Sequence, residues 1–200
     1  MNQPSKIAIA VAAVFALSAA ASTVWAATPA AQEVTQRDVN QQQRIEQGLQ
    51  SGQLTTKEAG KLEKDEARVD HLEQHDLKDG KLTPKETAQI NAAQNRVSNQ
   101  INQQKHDGQV GNPNSASSKR MQADVQRNVN QQSRIEQGAK SGSLDNREVG
   151  QLERGQKHVD NREAAAASNG RVGAAEQRGI QRSENRQSRR IYRKKHNGVG

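Results

Sequence analysis

The sequence predicts an all-α protein. It consists of two tandem three-helix repeats, as helical hairpins or small bundles, after a cleaved signal peptide, and its low apolar content leaves room for partial disorder. Three observations lead there. Residues 39–108 align without gaps onto residues 129–198, 90 positions on, with 29 identities. Within the copies, a small joint of glycine, capping residue and glutamate recurs where one helix should stop and the next begin. Between the joints the chain is mostly Gln, Glu, Lys, Arg and Ala, all good helix formers.

The first element is the leader, residues 1–26. Lys6 precedes the apolar run 7–17, which is too short to span a bilayer as a helix. Val24-Trp25-Ala26 then suits cleavage before Ala27. No cysteine follows for lipid attachment and no twin arginine precedes the run, so ordinary export is expected, to a bacterial periplasm or the medium. With no cysteine in the chain, disulfides, thiolate metal sites and cysteine nucleophiles are excluded.

The first repeat, residues 27–111, is expected to hold helices near 35–50, 56–74 and 84–105. Gly52 and Gly80 can adopt the left-handed conformation that ends a helix. Thr55 and Thr83 are N-caps, and Glu58 and Glu86 stand three residues on, completing capping boxes. Pro84 takes the first helical position, where its missing N–H does no harm. Leu62, Val69 and Leu72 on the second helix, and Ile90, Val97 and Ile101 on the third, form narrow apolar stripes. A single three-helix unit with so little apolar surface is marginal, and self-association or a partner would have to supply the missing burial.

Residues 109–118 are rich in Gly, Asn, Pro and Ser, and residues 112–122 are expected to form a flexible linker. The second repeat, residues 123–200, should carry helices near 123–140, 146–167 and 174–194. It has lost joint chemistry: Thr83-Pro84 is replaced by Gly173-Ala174, and Leu72 and Leu77 by Arg162 and Ala167, so its second joint should be looser. Charge has diverged as well. Residues 27–111 hold 11 basic and 13 acidic residues; residues 112–200 hold 18 and 9. Duplication followed by specialisation is the natural inference.

Candidate sites are few. The stretch 75–86 resembles the second half of an EF-hand loop, with Asp79, Thr83 and Glu86 at ligand positions but His75 and Leu77 where that family places acids. His71 and His75, four apart on one helix face, can offer two imidazoles to zinc, copper or nickel. His71, His75, Asp79, Thr83 and Glu86 are therefore the metal candidates, for a weakly held divalent cation such as calcium, zinc or copper. His106 and His196 recur after the third helix of each copy, where a cation complements the helix dipole. Arg178, Arg182, Arg186, Arg190, Arg193 and Lys194 crowd the last helix, with Arg178, Arg182, Arg186 and Arg190 forming an i, i+4 stripe. Outside the cytoplasm such a stripe would meet an anionic membrane surface or an acidic protein; nucleic acid is not expected there. No GxSxG, HExxH or P-loop is present, so no catalytic residue is assigned. Paired carboxylates such as Glu63 and Glu66 are read as exposed helix surface.

The segments 40–58 (NQxxRIxxGxxSGxLTxxE), 79–86 (DGxLTxxE) and Lys105-His106 resemble a group of small proteobacterial exported helical proteins. The resemblance implies a leader, a helical mature chain and no particular activity. A more distant similarity is to the LTxxQ periplasmic stress chaperones, which are helical, basic and cysteine-poor, and some of whose relatives bind zinc; here the motif reads LTxxE. The expectation is a non-enzymatic periplasmic protein acting by surface contacts in envelope stress, chaperoning or scaffolding, with an envelope protein or its own copies as partners. Divalent-metal binding is the alternative.

Overall fold

The computed structural model describes residues 26–197. Nearly all of the leader, residues 1–25, lies outside the described residues. Those described form six α-helices and no strand: α1 (Pro29–Ser51), α2 (Thr56–Asp76), α3 (Pro84–Lys105), α4 (Ala116–Ser141), α5 (Asn146–Ala167) and α6 (Ala174–His196). None is long and apolar enough to cross a membrane.

Local chemistry explains the boundaries. Thr55 Oγ1 accepts the Glu58 N–H while Glu58 Oε2 accepts the Thr55 N–H, and Thr83 with Glu86 repeats both bonds. Asp145 and Glu148 build the same box at the start of α5. At α6 only half survives: Glu176 accepts the Gly173 N–H, but Gly173 has no side chain to answer. Helices α1 and α4 end on Gly52 and Gly142 at φ of 78° and 75°, a conformation that a β-carbon would strain. His106 and His196 bond the Asn102 and Tyr192 carbonyls one turn back through Nδ1.

The two halves share one interior. Helix α2 packs along α5 and α1 along α4; α3 lies over α1 and α2, and α6 over α4 and α5. Both central pairings are antiparallel. Gly60, early in α2, faces Ala167 at the end of α5, and Gly150, early in α5, faces Leu77 just past α2. Likewise Gln122 in α4 donates to the Leu49 carbonyl, and Gln32 in α1 to that of Ala139. Each apolar cluster therefore draws on both halves. One joins Ile45, Leu62 and Ile101 to Met121, Val172 and Ile180; the other joins Ala31 and Leu77 to Ile135, Leu152 and Ile191. The burial that a single repeat lacks is supplied by the other half of the same chain.

This packing departs from the expected linker. Helix α4 begins at Ala116, capped by the Ser115 hydroxyl, so residues 116–122 are helical. The serines that suggested a linker do capping work here, and Met121 is fully buried. The preceding Gly111 N–H donates to the Gly52 carbonyl at 2.8 Å. The joint before α6 is also tied down: Val172 is buried, its N–H donates to Ser117 Oγ, and its carbonyl accepts from Arg120.

Close approach of α2 and α5 depends on glycine. A β-carbon at Gly150 would lie 2.9 Å from Leu77 Cβ. Gly150→Leu is expected to wedge the pair apart and cost roughly 1–3 kcal/mol in urea unfolding. Gly179→Ala, in open space on α6, should instead stabilise by about 0.5–1 kcal/mol.

Candidate metal centre

The α2–α5 seam is lined with acids. Helix α2 presents Glu63, Glu66, Asp70 and Glu73; α5 presents Glu153, Gln156, Asp160 and Glu163 at the same spacing of three, four and three. That spacing keeps all four side chains on one helical face. All eight residues are buried, with Glu63 at 0% and Glu66 at 3% exposure, so the reading of this pair as exposed surface is corrected. On a lone helix the face would be solvated; the opposing helix covers it. Around the seam, α1 adds Asp38, Gln41 and Gln42, α3 adds Gln94, α4 adds Asp124, Asn128, Gln131 and Gln132, and α6 adds Glu184, all buried.

No Lys, Arg or His is buried among the described residues. One cation reaches this interior from its edge, Arg127, whose Nε lies 3.0 Å from Glu184 Oε2. The other partners are amide donors, and Asp38 with Glu73, Glu63 with Glu163 and Asp70 with Asp160 also lie within hydrogen-bonding reach of each other. Gln42 Nε2 donates to Glu63 and Gln132 Nε2 to Glu153, each at 3.0 Å; Gln94 Nε2 donates to Asp38 at 2.7 Å and Asn128 Nδ2 to Glu163 at 2.8 Å. The remaining oxygens of Asp38, Glu63, Glu73, Glu153 and Glu163 have no hydrogen-bond partner, nor have the amide oxygens Gln94 Oε1 and Asn128 Oδ1. Buried polar atoms left without partners cost roughly 1–3 kcal/mol each.

Two places gather three carboxylates apiece. Asp38, Glu73 and Glu153 each offer an oxygen within 4.8 Å of the others; so do Glu63, Asp160 and Glu163. The sites correspond across the 90-residue offset, with Glu73 and Glu153 of the first answered by Glu163 and Glu63 of the second. Asn128, whose amide touches Asp160 and Glu163, stands where the first site has Asp38. Each site takes ligands from both halves, so neither exists until the halves dock.

Burial raises these carboxyls far above their ordinary range. Asp38 and Glu63 reach about 7, and Glu153 about 8, with desolvation the largest cause. Glu66, Asp70, Glu73, Asp160 and Glu163 are also pushed well up, by burial first and then by neighbouring carboxylates. Asp124 reaches about 7 and Glu184 about 8, again chiefly through burial. Such a seam has two ways to be neutral: hold protons, or hold cations.

The residues singled out as metal candidates do not converge. His71 and His75 are exposed; Lys157 Nζ lies 3.4 Å from His71 Nδ1, and Lys78 Nζ lies 3.4 Å from His75 Nε2, so each imidazole faces an ammonium group. Asp79 accepts the Lys81 N–H within its turn. Thr83 and Glu86 are taken up by the helix cap, whose hydrogen bonds hold the Glu86 carboxyl below its usual range. None of His71, His75, Asp79 and Glu86 joins a three-ligand group among the described residues. The likeness to a calcium loop reduces to a capped turn. The α6 stripe is solvent-facing, with Arg178, Arg182, Arg186, Arg190 and Arg193 exposed and Lys194 partly so. The seam left its own signal, the E-x2-E-x3-D-x2-E spacing in α2, kept in α5 with one Glu changed to Gln. No family model, curated protein or solved structure matches this chain.

The raised pKa values reverse the usual pH profile. The folded chain holds protons that the unfolded chain releases above about pH 4, so stability is greatest below that point and is lost as pH rises through about 7–8. In chelator-treated buffer the thermal midpoint is expected to fall steadily from pH 5 to pH 9. Glu153→Gln, which keeps the shape and removes the ionisation, should raise stability at pH 8 by roughly 1–4 kcal/mol.

Proposed function

We propose that this protein binds hard polyvalent cations in the α2–α5 seam and is a cation-binding, non-catalytic component of the space outside the bacterial cytoplasm. The single observation behind this reading is the pair of buried three-carboxylate sites, with unpartnered carboxylate oxygens in them and no buried base among the described residues. The donors are all oxygen, which suits calcium, manganese or a trivalent ion and disfavours copper and other metals that prefer nitrogen or sulfur. Asp38, Glu73 and Glu153 would hold one ion and Glu63, Asp160 and Glu163 the other; Gln94 and Asn128, whose NH2 groups now donate to those carboxylates, would have to turn their amides over to add an oxygen. Metal would displace the protons that the empty seam must carry, so binding and proton release are linked. Because each site bridges the halves, cation binding also locks them together. Export, the duplicated origin of the halves and the absence of a catalytic role belong to the same reading and rest on the leader, the internal alignment and the missing catalytic motifs.

A second reading, contact with an acidic surface through α6, is favoured by the solvent-facing stripe Arg178, Arg182, Arg186 and Arg190.

Calorimetry and thermal unfolding of the mature chain at pH 7.5 with calcium, manganese, lanthanum and zinc test the cation reading. Up to two hard ions per chain are expected to bind, with heats that vary with buffer ionisation. At a hundredfold excess over the dissociation constant each should add about 2.7 kcal/mol of stability. Glu73→Gln and Glu163→Gln should each remove one ion, while His71→Ala with His75→Ala should leave binding intact. No heat and no shift in midpoint with any of these ions at millimolar concentration would refute the reading, as would loss of binding in the histidine variant.

A further inference from the structure

A cavity of about 240 Å³ opens between α5 and α6, far from neutral in its lining: His158 and Arg162 face it from α5, Arg186 and Arg190 from α6. Both pairs are spaced i, i+4, and on α6 that places two like charges side by side, where they repel. No carboxylate forms an ion pair with any of the four among the described residues. Arg186 instead donates to Ser183 Oγ at 2.9 Å, which leaves the hydroxyl proton free to donate. The His158 imidazole is held below its ordinary range, by burial first and then by Lys157, Arg190, Arg154 and Arg162. The cavity is thus a concentration of unbalanced positive charge with room for a small polyatomic anion.

The corresponding place in the first half is built differently. Arg68 stands where the second half has His158, and it pairs with Asp65. Leu72 stands in place of Arg162 and packs on the apolar cluster that includes Val69, Ala93 and Val97. In the second half Asp65 has become Gly155, Ala93 Ser183, Val97 Gln187 and Gln100 Arg190. Loss of the acid removes the counter-charge and also makes space, because a β-carbon at Gly155 would overlap the Gln187 amide. Gln187 then fills the floor, donating to the Leu152 carbonyl at 2.8 Å. Where the first half has an apolar patch, Arg68 paired with Asp65 and the exposed Arg96 in the place of Arg186, the second half has a polar pocket that adds Arg162 and Arg190 and lacks the acid.

We infer that the α5–α6 cavity binds a phosphate monoester, or phosphate itself, through Arg162, Arg186 and Arg190 with His158 and the Ser183 hydroxyl. Guanidinium forks match phosphate oxygens two at a time, and three of them suit a dianion better than a singly charged carboxylate or sulfate ester. This is independent of cation binding in the seam. It differs from diffuse attraction to the α6 stripe because Arg162 and His158 lie on another helix.

Titration of the chelator-treated mature chain with inorganic phosphate, and with vesicles of phosphatidylcholine containing phosphatidic acid, tests the inference at 0.15 M salt, where loose surface attraction is screened. Arg162→Leu, which installs the first half's residue, and Arg186→Gln are each expected to weaken binding at least tenfold. Arg178→Gln, an exposed stripe residue outside the cavity, should change it less than twofold. Free phosphate binding that vesicles do not improve identifies a soluble ligand; tight binding confined to phosphatidic acid vesicles identifies a lipid headgroup, and either supports the cavity. No binding of either probe, or equal losses in Arg162→Leu and Arg178→Gln, would overturn it.

Discussion

Acids buried without bases are the constraint around which this structure is arranged. Eight carboxyls, on α1, α2 and α5, are fully buried where α2 and α5 meet, and the described interior holds no cationic side chain. Isolated ionised carboxylates are too costly to bury, so the seam must be neutralised by protons or by bound cations. Gln42 and Gln132 each satisfy one carboxylate oxygen and Gln94 and Asn128 two, with further oxygens left open. This arrangement serves structural stability poorly, since apolar residues of similar volume would pack the same space without the desolvation cost.

The second organising fact is the exchange between halves. Each three-helix unit has a thin apolar stripe on its own, and each completes its interior with the other. Gly60 against Ala167 and Gly150 against Leu77 are the same contact with the roles of the halves swapped, and the acid sites follow the same exchange. Burial of the acids and docking of the halves are therefore one event. Whatever neutralises the seam also favours the closed arrangement, which gives the proposed cation binding a direct route to a change of shape or stability.

The halves then part company on their outer surfaces. The interior is nearly common to both, but the excess of basic residues is confined to the second half and gathers on α6 and the facing side of α5. Toward the surface the halves differ: where the first has the partly buried Asp65 and Leu72 and the exposed Gln100, the second has the buried Gly155 and the exposed Arg162 and Arg190. An acidic inside and a basic outside are kept apart in one bundle by the helices between them.

Helix number, joints and caps were legible in the chain because they rest on local chemistry: Thr55 with Glu58, Thr83 with Glu86 and the left-handed Gly52 act within a few residues. The apolar positions Leu62, Val69, Ile90 and Ile101 were legible from helical periodicity, and all are buried. The burial of Glu63, Glu66, Asp70 and Glu73 was not, because a carboxylate face looks the same in sequence whether water or another helix lies over it. The histidines drew attention by residue type, yet they sit on the outside. By itself the sequence determined where helices begin, end and turn their apolar stripes. Only the tertiary structure decided that the two halves close on each other, because that choice depends on contacts some 90 residues apart, and with it the acids passed from surface to interior.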